Sequence, residues 1–220
     1  LTNPTNSAQT ATYTVTPKAG NCTGSTFSVT VTVSPKPALN TISETTCSGS
    51  TFSIIPANGT DGIVPAGTTY SWGIPSVTGG MTGGIAGSNQ SSIFGTLTNP
   101  TNSAQTATYT VTPKAGNCTG STFSVMIAVN STPAIQSFTP IICSGISFTE
   151  APQNGIPTGT TVVPANTRYT WTVIANPNVI GEFNQSLPQA AINQSLTNTT
   201  QAVQHVIYSV KPISGAAGNC

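Results

Sequence analysis

Five cysteines, Cys22, Cys47, Cys118, Cys143 and Cys220, are the side chains in this sequence with the clearest covalent chemistry. No two are spaced as C-x-x-C, and the single histidine, His205, is far in sequence from three of them, so the spacing gives no metal site. Disulfide formation is what remains, and it belongs to an oxidising, extracytoplasmic compartment. Two motifs alternate: Cys-Ser-Gly at Cys47 and Cys143, and Gly-Asn-Cys at Cys22, Cys118 and Cys220.

Other chemistries find few residues to work with. The acids are Glu44, Asp61, Glu150 and Glu182. Hydrolysis by a carboxylate pair needs two acids at close quarters, and within residues 34–129 only Glu44 and Asp61 are present. Neither recurs in the other copies, and both are read as solvated loop residues. No serine sits in a G-x-S-x-G elbow, so His205 has no triad to join and is read as a surface residue on a strand. Calcium would want several carboxylates. Lys114 could in principle form an isopeptide with an asparagine, but no acid stands ready to catalyse it, and it is read as a solvated lysine beside a turn. Trp72 and Trp171 could stack on sugars; an aromatic recurring at one strand position is better read as core. No cofactor is expected.

The elements that hold these residues come from duplication. Residues 1–29 recur unchanged at 97–125, an offset of 96. A third copy is more divergent: VPAGTTYSW at 64–72 matches VPANTRYTW at 163–171, and LTNPTNSAQTATYTVTP at 97–113 matches LTNTTQAVQHVIYSVKP at 196–212. A period this long exceeds that of solenoids, so each copy is expected to be a domain in its own right. Proline-rich SPKPA at 34–38 and NSTPA at 130–134 mark the boundaries. Residues 1–33 are then the last strands of a preceding repeat, 34–129 a complete repeat, and 130–220 a following repeat without its final strand. A strand pair such as 1–33 cannot bury its own apolar face.

Apolar residues alternate with a period of two. Ala107, Tyr109 and Val111 share one face of a strand with threonines on the other, and Phe123, Val125, Ile127 and Val129 line the next. Short strands rich in Thr, Val and Tyr, separated by Gly, Pro and Asn turns, predict an all-β chain of tandem immunoglobulin-like antiparallel sandwiches. Trp72, Tyr109, Trp171 and Tyr208 are the expected core aromatics. With each repeat opening on Cys-Ser-Gly and closing on Gly-Asn-Cys, the expected disulfides are Cys47 with Cys118 and Cys143 with Cys220, and Cys22 bonds upstream. The first of these would remove roughly 4 kcal/mol of unfolded-chain entropy. The competing scheme crosses the linkers, joining Cys22 to Cys47 and Cys118 to Cys143.

Of 220 residues only four are acidic and five basic, and 4% are charged, where about 25% is usual. Forty threonines, with many Ser, Asn and Gly, take the place of charge. No basic stripe exists to meet a phosphate backbone, and no apolar run reaches the ~20 residues of a membrane span. Nucleic-acid binding and membrane insertion are therefore not expected. Export signals are expected elsewhere in a longer protein.

TTYSW at 68–72, RYTW at 168–171 and the run ATYTVTPKAGNCTGSTFSVMIAV resemble the PKD-like and immunoglobulin-like repeats of very large Bacteroidota surface proteins. These include gliding-motility adhesins secreted by the type IX system. The resemblance covers the chain repeat by repeat. It departs after Trp72 and Trp171, where WGIPSV and WTVIAN replace the acidic, glycine-rich turn usual in PKD domains. It implies a non-enzymatic, cell-surface stalk, outer-membrane associated. Neighbouring repeats would be its partners, and its hydroxyl-rich exterior would meet surface glycans or abiotic surfaces. The alternative is a carbohydrate-binding or spacer module of a secreted enzyme.

Overall fold

In the computed structural model, residues 1–156, 158–215 and 220 are described. The described residues form strands and turns without an α-helix, as the period of two requires. Setting aside two-residue ladders, fourteen strands follow in order. They are β1 (Gln9–Val15), β2 (Phe27–Val33), β3 (Ile42–Cys47), β4 (Thr51–Ile54), β5 (Thr69–Trp72), β6 (Gly87–Gln90) and β7 (Ile93–Thr96), then β8 (Gln105–Ala115), β9 (Phe123–Asn130), β10 (Ser147–Glu150), β11 (Arg168–Ile174), β12 (Gln185–Gln189), β13 (Ile192–Ser195) and β14 (Ile207–Ile213).

The middle repeat is a two-sheet sandwich. One sheet runs β6-β5-β8-β9-β3 and the other pairs β7 with β4. All pairings are antiparallel except that of β3 with β9, which is parallel and sets Cys47 opposite Asn130. Between the sheets lies one apolar cluster. Phe52, Ile54 and Ile93 come from the small sheet, and Tyr70, Trp72, Tyr109, Val111, Phe123, Val125 and Ile127 from the large one. Tyr109 and Phe52 meet edge to face at 5.8 Å. On β8 the other face carries Thr108, Thr110 and Thr112, which are half-buried or exposed.

The third repeat keeps the plan on a smaller scale. Its sheets are β12-β11-β14 and β10-β13, around Tyr169, Trp171 and Ile192 with Phe148, Tyr208 and Val210 against them. Phe148 and Tyr208 repeat the edge-to-face pair at 5.9 Å. In the middle repeat β8 lies between β5 and β9. Its counterpart β14 has β11 on one side and, among the described residues, no strand on the other.

At the other end of the chain, β1 and β2 form a lone hairpin with the register of β8 and β9: Tyr13 faces Val29 as Tyr109 faces Val125. The two segments are identical in sequence over 29 residues and differ in surroundings. Tyr13 is 47% exposed and Tyr109 0%; Phe27 is 52% exposed and Phe123 6%. The hairpin thus forms from its own alternation and turn. Burial is added only when a second sheet covers it.

An Asn-x-Thr turn precedes each of these long strands. Asn99, buried, donates from Nδ2 to the carbonyls of Ser103 (2.7 Å) and Val129 (2.9 Å), and its Oδ1 accepts from the amide and hydroxyl of Thr101. Asn3 repeats all four bonds, to Ser7, Val33 and Thr5. Asn198 repeats three, to Ala202 and Thr200. One amide therefore ties the turn to the last residues of β9. Asn99→Ala strands the buried carbonyl of Val129 and is expected to cost about 1–3 kcal/mol, read as a lower denaturant midpoint at unchanged m-value.

The charged residues have specific places. Glu44 is exposed on β3, a strand residue contrary to the loop reading, and Glu150 is half-buried at the end of β10. Ladder pairing holds both extended, Glu44 level with Ile127 of β9 and Glu150 level with Ile192 of β13. Asp61 does lie in a loop, where its Oδ2 accepts from the amide of Ala57 at 2.7 Å. Glu182 Oε1 accepts from the amide of Asn176 at 2.7 Å. His205 is exposed in the segment just before β14, not on a strand as expected. Its carbonyl is taken by Asn176 Nδ2 (2.9 Å), a side-chain bond in place of a ladder bond. Lys114 is exposed on β8 itself.

Candidate functional site: the joint between repeats

Each repeat has two unlike poles. At one pole the chain arrives: a Cβ on Gly120 would lie 2.4 Å from the carbonyl oxygen of Pro37, so the start of the repeat rests on the Gly-Asn-Cys turn, where Ala115 faces Cys118. At the other pole the chain leaves, because Asn130, the last residue of β9, is level with Cys47. The linker that follows joins the leaving pole of one repeat to the arriving pole of the next. Thr132 in that linker donates to the carbonyl of Ser48 at 3.3 Å.

A covalent bond sits at this joint. Cys47 is disulfide-bonded to Cys220, with Cα atoms 5.6 Å apart and a sequence separation of 173. Cys22, Cys118 and Cys143 are thiols. The expected pairs Cys47 with Cys118 and Cys143 with Cys220 are therefore corrected, and so is the alternative scheme that crosses the linkers from Cys22 to Cys47. The reason is the length of β9. Cys118 precedes it and Cys47 is level with its end, and eight extended residues span about 23 Å, whereas a disulfide bridges Cα atoms less than about 7 Å apart. Sequence order gave the alternation of the motifs without their poles. The Gly-Asn part of the motif at Cys220 lies outside the described residues.

The Cys-Ser-Gly corner is built the same way twice. Ser48 Oγ accepts from the amide of Asn99 at 2.9 Å, and Gly49 donates to the carbonyl of Leu97 at 2.9 Å. In the third repeat Ser144 Oγ accepts from Asn198 at 2.9 Å, and Gly145 donates to Leu196 at 2.8 Å. Gly49 and Gly145 share φ 82°, a left-handed conformation that suits glycine. The cysteine is thus presented from a rigid turn, half-buried at Cys47 and exposed at Cys143.

The tryptophans are placed away from solvent. Trp72, 5% exposed, donates from Nε1 to the carbonyl of Ile85 at 2.9 Å, and Trp171, 4% exposed, to that of Phe183 at 3.1 Å. A Cβ on Gly87 would meet the Trp72 ring at 2.4 Å, so the strand beside the indole has no room for a side chain. Neither ring offers a face for sugar stacking. Tyr109 is fully buried with an unpartnered hydroxyl, while Tyr208 is half-buried and donates to Gln194 Oε1 at 2.6 Å. Among the described residues no cluster of three His, Cys, Asp or Glu side chains is placed to hold a metal ion.

The phenols of the sandwiches give the fold an alkaline limit. Burial, and then the charge of Asp61, pushes Tyr70 from its ordinary 10.0 up to about 12. Burial, and then Glu182, does the same to Tyr208. The folded state therefore prefers the neutral phenol. That stabilisation is complete below pH 10 and is lost as pH rises from 10 through 12. Melting temperatures followed by circular dichroism are expected to hold steady up to about pH 10 and to fall above it.

Linked two-sheet sandwiches with a disulfide at their joint define a class of tandem immunoglobulin-type module. Within that class the chain belongs to the PKD-like domain family, whose pattern it matches three times, over residues 1–37, 44–133 and 140–220. No curated protein matches it. No helix among the described residues is long and apolar enough to cross a membrane.

Proposed function

We propose that this chain is a structural repeat segment of an extracellular cell-surface adhesin, a disulfide-pinned spacer that holds a contact surface away from the cell. The observation that carries this is the position of the Cys47–Cys220 bond: it joins two separately cored domains and so fixes a joint. A bond placed to restrain a joint suits a protein whose task is reach. Membership of the PKD-like family and the oxidised cysteine pair support the extracellular setting. The resemblance to repeats of Bacteroidota gliding adhesins supports the finer reading, an outer-membrane-associated, type IX secreted protein without enzymatic activity. Neighbouring repeats are its first partners, and glycans or abiotic surfaces its contacts through exposed hydroxyls.

The test is cellular. Antibody raised against the chain should label intact cells, and in-frame removal of residues 34–129, one whole period, should weaken adhesion in a graded way. Labelling only after permeabilisation would sink the reading. A saturable response to a soluble polysaccharide, with adhesion unaffected by the deletion, would replace it with a carbohydrate-binding module.

A further inference from the structure

Three cysteines are thiols in this structure, and each has a counterpart that is not. Cys143 aligns with Cys47 at an offset of 96, and Cys118 and Cys22 align with Cys220. The bonded pair follows a direction: the Cys-Ser-Gly cysteine of one repeat holds the Gly-Asn-Cys cysteine of the next. Applied to the others, that direction places every missing partner in a repeat outside residues 1–220. Cys143 would need the Gly-Asn-Cys of a following repeat. Cys118 and Cys22 would each need the Cys-Ser-Gly of the repeat before their own.

We infer that the Cys47–Cys220 bond is one member of a series, in which the Cys-Ser-Gly cysteine of each repeat is oxidised onto the Gly-Asn-Cys cysteine of the repeat that follows it, with Cys143 and Cys118 as the halves of the flanking bonds. The main support is the same residue types already bonded at the equivalent positions. The repeated corner adds to it, because Ser144, Gly145, Leu196 and Asn198 hold Cys143 as Ser48, Gly49, Leu97 and Asn99 hold Cys47. The linkers also match: Ala134 pairs with Val162 as Ala38 pairs with Ile63, so each repeat begins in the same way. Successive bonds interlace, since Cys143 lies inside the span from Cys47 to Cys220. Every internal repeat is then held at both poles.

Each bond forms by thiol–disulfide exchange. One cysteine thiolate attacks a disulfide oxidant, giving a mixed disulfide and releasing one reduced thiol. The second cysteine thiolate displaces the other half, so two protons and two electrons leave the pair and the oxidant departs as two thiols. The extracellular setting proposed above supplies such an oxidant in life. The test supplies its own as oxidised glutathione, so failure here would leave that proposal standing.

The experiment extends the full chain. A second copy of residues 119–220 is appended after Cys220, which supplies the third repeat with a last strand and adds a fourth repeat. After oxidation with glutathione disulfide, non-reducing peptide mapping should find Cys143 linked to the appended copy of Cys220, with Cys47–Cys220 retained. Three cysteines should remain open to alkylation: Cys22, Cys118 and the appended copy of Cys143. Cys143→Ser should leave the appended copy of Cys220 open to alkylation. In the unextended chain, Cys47→Ser should leave Cys220 alkylatable instead of moving it onto Cys143 or Cys118, a result that does not depend on how the added repeat folds. Finding Cys143 bonded to Cys220 or to Cys118, or left unbonded where Cys47–Cys220 forms, overturns the series.

Discussion

Tyr109→Ala is expected to lower the stability of the middle repeat by about 3–5 kcal/mol, while Tyr13→Ala changes the stability of the chain by no more than about 0.5 kcal/mol. The two tyrosines sit in identical 29-residue segments and face the same partner in the same register. They differ in burial, 0% against 47%. Tyr109 fills the space between the sheets against Phe52, and its loss leaves a cavity in the buried cluster. Tyr13 has only its own hairpin beneath it. Urea unfolding of the two variants checks the claim, and equal losses would show that the hairpin contributes the stability and not the second sheet.

Pulled by its ends, the oxidised chain is expected to reach only about 160 Å, the span of its first 47 residues, because tension passes from Cys47 to Cys220 directly. Reductant should release residues 48–219, about 600 Å more. Closing a loop of 173 residues also removes about 5 kcal/mol of unfolded-chain entropy, so the reduced chain should unfold at lower denaturant. Single-molecule stretching with and without reductant measures the first effect. Identical contour lengths would mean that the bond does not carry the tension.

The strands were legible because alternation is a local property. ATYTV and STFSVMIAV place every second side chain inward, and β8 and β9 follow. The parallel strand β3 was not read, since ISETTC carries one strong apolar residue, Ile42, and its pairing with β9 is decided by the chain's path round the sandwich. The Asn-x-Thr turn was available in three copies and went unread; the signal was an asparagine with a threonine two residues on, ahead of each long strand. The disulfide was the largest miss. Motif order along the chain places Cys47 and Cys118 in one repeat, but which pole each occupies depends on strand direction, which is set only in the assembled sheet.

The outward threonines of β8 have a consequence for the water in which such a chain can work. Charged exteriors change their interactions with ionic strength, since the Debye length shrinks from about 30 Å at 0.01 M to about 3 Å at 1 M. Thr108, Thr110 and Thr112 present neutral hydroxyls, which mobile ions do not screen. The electrostatics of such a face are therefore expected to change little between fresh water and brine.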